Sequence, residues 1–163
     1  KMEAQRWETK VTAKLKRATA DEIWSLYVDF FNFHKWFPTL SVCYGVDGSN
    51  GDPGCVRYCR GSSLPTSSSF AWSKERLQSV DHSARCLSYE MVDGNVGFRS
   101  YVATVRVAPV EGGGGGCVVE WAFGVEPVSG LTLEDLVGKY QMGLEMTARN
   151  MEDSLYGPGP IKD

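Results

Sequence analysis

Between residues 39 and 126 the chain runs through six short stretches of alternating polar and apolar side chains: 39–46, 54–60, 68–80, 84–92, 98–108 and 117–126. Turn signals separate them: Asp47 to Pro53, Ser62–Ser67 around Pro65, Asp81-His82-Ser83, Asp93-Gly94-Asn95, and five glycines at 112–116. Strands joined by such short connections pair antiparallel with their neighbours, because a parallel partner needs a long crossover. A further half-buried strand precedes them, with Trp7, Thr9, Val11, Ala13 and Leu15 alternating with Glu8, Lys10, Thr12, Lys14 and Lys16. The pentaglycine reads as a loose hairpin tip, since a phosphate cradle needs a helix after it and here a strand follows.

Helices flank the strand region. Thr19-Ala20-Asp21-Glu22 is a capping box opening a helix through about Phe30, and a second short helical piece spans Phe31 to Trp36 before Pro38 stops it. Thr132, with Asp135 three residues on, caps a long helix whose stripe is Leu133, Leu136, Val137, Tyr140, Leu144, Thr147, Met151 and Leu155. Gly157-Pro158-Gly159-Pro160 ends it. The expected fold is α+β: a seven-stranded curved antiparallel sheet around a long C-terminal helix, with two short helices after the first strand. Residues 5–156 form one domain in this reading and 157–163 a flexible tail. A sheet curling around a helix leaves a gap between them, which is a natural ligand cavity.

At 163 residues, with 17 basic against 20 acidic side chains and no basic run, the chain is not expected to bind nucleic acid or an anionic membrane. No stretch approaches the roughly 20 apolar residues of a membrane span, and KMEAQRWETK lacks the apolar core of a secretory signal. Cys43, Cys55, Cys59, Cys86 and Cys117 fit neither a disulfide framework nor a zinc pattern, and His34 and His82 lie far apart. These features point to buried free thiols in a cytoplasmic protein that uses no metal.

Strand alternation assigns directions. In FAWSKERL, Lys74 and Arg76 belong in solvent, which turns Glu75 inward with Ala71, Ser73 and Leu77. The same argument sends Leu87, Tyr89 and Met91 inward, then Tyr101, Ala103, Val105 and Val107, then Val119, Trp121, Phe123 and Val125. GCVRYCRG, residues 54–61, holds two arginines of opposite parity. Arg60, taken as the strand end, is the easier to solvate, so Arg57 goes inward with Cys55 and Cys59. Two readings of the inward set stay open. Arg57 and Glu75 are a mutually neutralised pair, which is a poor stabiliser. Alternatively, Arg57 holds a polar or anionic group while Glu75 acts as general acid or base, with Tyr89 and Tyr101 orienting a ligand oxygen.

DFFNFHKWFPTLSVC, GDPGCVRYCRG with WSKERL, and GFRSYVATVRV with VEWAF together resemble the plant START-like (Bet v 1-like, polyketide cyclase/dehydrase) helix-grip superfamily. The likeness spans about residues 5 to 156 and is strongest to the lachrymatory factor synthases. It implies a cofactor-independent lyase or isomerase that turns a small sulfenic acid into a thial S-oxide. By the resemblance, Arg57 anchors the sulfinyl-type oxygen, Glu75 transfers the proton, and Tyr89 and Tyr101 line the pocket. Ser73, Leu64, Pro65, Trp121, Phe123, Tyr140 and Leu144 complete the expected ligand contacts. GSSLPT at 61–66 is similar to the gate loop of abscisic acid receptors, which implies a carrier or sensor of a small hydrophobic ligand instead. A fern hydroxynitrile lyase is also similar in outline, with Ala71 at the position of its catalytic aspartate.

Overall fold

The computed structural model describes residues 5–63, 69–112 and 115–159. In chain order they form β1 (Trp7–Leu15), α1 (Ala20–Val28), a 3-10 helix (Phe30–Lys35), β2 (Leu40–Asp47), β3 (Val56–Ser63), β4 (Phe70–Asp81), β5 (Cys86–Gly94), β6 (Val102–Pro109), β7 (Cys117–Val125) and α2 (Leu133–Tyr156). The strands make one antiparallel sheet of seven in the order β1-β7-β6-β5-β4-β3-β2. β1 pairs with the last strand, from Trp7 opposite Val125 to Leu15 opposite Cys117. Because β1 and β2 lie at opposite edges, α1 and the 3-10 helix carry the chain across the sheet.

The expected fold class is the observed one, and both capping boxes form as read, on Thr19 with Glu22 and on Thr132 with Asp135. Boundaries shift where tertiary contacts intervene. The first helix stops at Val28 rather than about Phe30, because Asp29 leaves helical geometry at ψ 62°. The Asp29 carboxylate accepts hydrogen bonds from Asn32 and Asn50, which holds this corner. The strand expected over 98–108 begins only at Val102, after a left-handed Ser100 at φ 56° whose hydroxyl donates to Glu126.

Inward side chains of both sheet halves, α1 and α2 join in one core around Ile23, Phe30, Leu77, Leu87, Leu136, Leu144 and Met151. Each such side chain contributes about 1.5–3 kcal/mol by leaving water. α2 also covers the open β1 edge, where Gln141 donates to the Thr12 carbonyl. The tail begins at Gly157, whose N–H donates to the Asp153 carbonyl; residues 160–163 lie outside the described residues. No helix among the described residues is long and apolar enough to cross a membrane.

A buried carboxylate on α2 fastens the helix to the β1–α1 junction. Glu152 accepts from the backbone N–H groups of Arg17 and Ala18 at 2.9 and 3.0 Å, and pairs with the Arg17 guanidinium at 3.2 Å. Glu152→Ala strands two backbone donors and should cost about 2–3 kcal/mol in urea unfolding. A loss below about 0.5 kcal/mol would show that water replaces the latch freely.

Candidate functional site

β3 and β4 place Arg57 directly opposite Glu75. The Arg57 Nε donates to Glu75 Oε1 at 2.9 Å, and its Nη1 donates to the Phe30 carbonyl at 2.9 Å. Both residues are buried, at 4% and 9% exposure. Register shifts do occur here, after Arg60 between β3 and β4, and between β4 and β5 both at Lys74/Glu75 and after Leu77, but the β3–β4 register runs unbroken from Val56 to Arg60 and keeps the pair face to face. The guanidinium lies 3.7 Å from the Phe30 ring centroid, with Tyr89 at 5.0 Å and Phe33 at 5.2 Å. Aromatic faces thus replace part of the hydration this cation has lost.

Gly45 makes that arrangement possible. It sits opposite Arg57 on β2, and a Cβ there would run into the Phe31 ring. The ring occupies the space of the missing side chain and seats the 3-10 helix on β2, which brings the Phe30 carbonyl within reach of Arg57.

The electrostatics follow from burial. Desolvation opposes the charge on Arg57, yet the facing Glu75, with smaller contributions from Cys59, Tyr89 and Cys43, moves its pKa above the ordinary guanidinium value. Loss of water raises the phenols of Tyr27, Tyr89, Tyr101 and Tyr140 above the usual tyrosine range. The rings of Tyr89 and Tyr140 each lie 6.3 Å from that of Tyr101, so these phenols share one aromatic cluster.

A sequence profile described as "polyketide cyclase/dehydrase and lipid transport" matches residues 6–152. The chain belongs to this polyketide cyclase/dehydrase family. Two crystal structures of major latex-like protein 151 from Panax ginseng are similar in fold. They align at TM-scores of 0.71 and 0.69 with 18% and 19% identity, each covering 91% of this chain and 97% of the other. The shared architecture is the Bet v 1-like one, in which a ligand cavity lies between curved sheet and long helix.

In this family member the part of that interior beside Arg57 is narrow. Among the described residues the void beside Arg57 measures about 10 Å³, roughly one water molecule. The reason is aromatic stacking: Phe123 lies 4.2 Å and Trp121 4.6 Å from the Tyr140 ring, and Tyr101 stacks on Phe123 at 5.9 Å. Alternation gives direction but not volume.

Of the expected site residues, Arg57, Tyr89, Trp121 and Leu144 line the void. Glu75 is bonded to its edge through Arg57, while Tyr101, Phe123 and Tyr140 pack together behind Trp121. Ser73 is half-buried opposite Cys59, on the same face as Glu75. Leu64 and Pro65, and with them most of the 61–67 loop, lie outside the described residues. Tyr27, Phe30, Phe33 and Thr147 also line the void and were not anticipated. Only the aromatic density of DFFNFHKWF and the place of Thr147 on the helix stripe hinted at them. Arg60 is a second correction. β3 continues to Ser63, so Arg60 is not a strand end; its buried Nε has no partner among the described residues and its guanidinium lies 5.1 Å from the Phe70 ring. Among the described residues no cluster of three His, Cys, Asp or Glu side chains could hold a metal ion.

Two measurements follow from the burial of these groups. Arg57→Met leaves a carboxylate unpaired in the interior and should cost about 3–5 kcal/mol in urea unfolding, whereas adding Glu75→Leu should recover most of that loss. A double variant as unstable as the single one contradicts the pairing. The raised phenols stabilise the fold fully below the unfolded tyrosine pKa of about 10, and this contribution is lost as pH climbs beyond it. Phenolate absorbance should therefore show Tyr27, Tyr89, Tyr101 and Tyr140 ionising only as the protein unfolds in alkali. Their titration near pH 10 in folded protein would overturn their burial.

Proposed function

We propose that the chain is a cofactor-independent lyase or isomerase of the lachrymatory factor synthase type, acting on a small sulfenic acid or a close chemical relative. The observation that carries this reading is the Arg57–Glu75 pair itself, a buried hydrogen-bonded cation and carboxylate whose guanidinium lines a void inside an aromatic interior. Arg57 holds the oxygen on sulfur. Glu75 accepts the O–H proton, and a proton is delivered to the distal alkene carbon, with a tyrosine hydroxyl as relay. The C=C–S–OH array becomes HC–C=S=O, so composition is unchanged and no oxidant or cofactor is consumed. A substrate of this size exceeds the void, so binding displaces aromatic side chains around Arg57.

A carrier of a small hydrophobic ligand is the second reading, favoured by the apolar lining and by the lipid-transport part of the family description. A hydroxynitrile lyase is less well supported, because Ala71 offers no carboxylate. Incubation with an alliinase-generated sulfenic acid separates these readings. The enzyme should yield thial S-oxide, and Glu75→Gln should lower the rate by at least about 10²-fold while a non-reactive alkyl sulfoxide still binds. No product from the wild type, with binding that Glu75→Gln merely weakens, would leave the carrier.

A further inference from the structure

Five cysteines occur in the chain, and two of them meet. Cys43 on β2 and Cys59 on β3 stand directly opposite each other in the register, with their sulfurs 3.6 Å apart. Cys59 Sγ also lies 3.8 Å from Glu75 Oε1. All five thiols are free; Cys55 and Cys117 are buried without a sulfur partner among the described residues, and Cys86 is half-exposed.

We propose that Cys43 and Cys59 are a modification site, a dithiol that small hydroperoxides convert reversibly to a cross-strand disulfide beside the Arg57–Glu75 pair. Position assigns the roles. Cys43 belongs to the edge strand, at 8% exposure, and is the thiol that a water-sized oxidant reaches first. Its pKa is lowered, first by its hydrogen bond with Cys59 and then by the Arg57 charge, although burial opposes this. Cys59 is the opposite case: its bond to Cys43, its burial and Glu75 keep the proton on sulfur. Cys43 is therefore the attacking thiolate and Cys59 the resolving thiol. β2 has register shifts on both sides of Cys43, between Leu40 and Val42 and between Gly45 and Asp47, which leave the strand slack to draw the sulfurs together.

The steps balance. The Cys43 thiolate attacks a peroxide oxygen; an S–O bond forms, the O–O bond breaks, and the departing hydroxide takes the Cys59 proton to give water. The Cys59 thiolate then attacks the Cys43 sulfur; the S–S bond forms, the S–O bond breaks, and hydroxide leaves to be protonated by the proton Cys43 first released. Two thiols lose two electrons and one peroxide becomes two waters. The reaction does not depend on whether the cavity catalyses anything. It ties the edge strand to β3 and removes the S–H next to Glu75.

The test treats reduced, reductant-free protein with a small excess of hydrogen peroxide, then alkylates the remaining thiols and maps the peptides by mass spectrometry. The expected result is loss of two hydrogens and of two alkylation sites, a linked Cys43–Cys59 peptide pair, and full reversal by dithiothreitol. In Cys59→Ser, Cys43 should halt at a sulfenic acid that dimedone traps; in Cys43→Ser, Cys59 should stay reduced. Alkylation of all five thiols after peroxide, a different linked pair, or direct over-oxidation of Cys43 in the wild type would each overturn the proposal, whether or not the serine variants fold.

Discussion

The alternation of β3 couples the direction of Arg57 to that of Cys55 and Cys59. Turning the arginine into solvent would also expose two buried cysteines and invert the face on which the strand meets the core. A cation is thus forced inside, and β4 answers it with Glu75 at the facing register position. A buried ion pair seldom improves stability over an apolar pair of equal volume, because desolvation offsets the attraction. The surroundings are arranged to tolerate it: the Phe30 carbonyl takes one more guanidinium N–H, and three aromatic faces stand close to the charge. Gly45 and Phe31 matter for the same reason, since they set the 3-10 helix at the height where its carbonyl meets Arg57.

The family's architecture supplies a space between sheet and helix, and in this chain aromatic rings crowd it beside Arg57. The stack of Tyr101, Phe123, Tyr140 and Trp121 links three elements, β6 with its approach, β7 and α2, so moving one ring disturbs the others. Such an interior holds little water, which strengthens any interaction that Arg57 makes with an oxygen brought into it. Chemistry and tight packing are compatible here only if a ligand takes the place of side chains now in contact.

Much of this was legible in the chain itself. Period-two alternation located seven strands, two capping boxes located the helix starts, and parity placed Arg57, Glu75, Tyr89 and Tyr101 inside. What escaped depends on distances between segments remote in sequence. The Glu152 latch joins positions 135 residues apart, and nothing local marks Glu152 as different from Glu145 on the same helix. Arg60 departs from the expected strand end because the strand runs past Gly61 to Ser63, a boundary set by pairing with β4 rather than by turn chemistry. The Cys43–Cys59 encounter required the β2–β3 register, which bulges on both sides conceal from simple counting.

Under the proposed function Arg57 is a ligand anchor and not merely a neutralised core charge. This role is tested most directly by the NMR resonance of the Arg57 side-chain Nε–H during titration with a short-chain alkyl sulfoxide, an unreactive stand-in for the sulfinyl oxygen. An anchoring Arg57 gives a saturable shift of that resonance, together with changes at Tyr89 and Trp121, which line the same void. A resonance that stays fixed at saturating sulfoxide, or binding confined to another part of the protein, would contradict it.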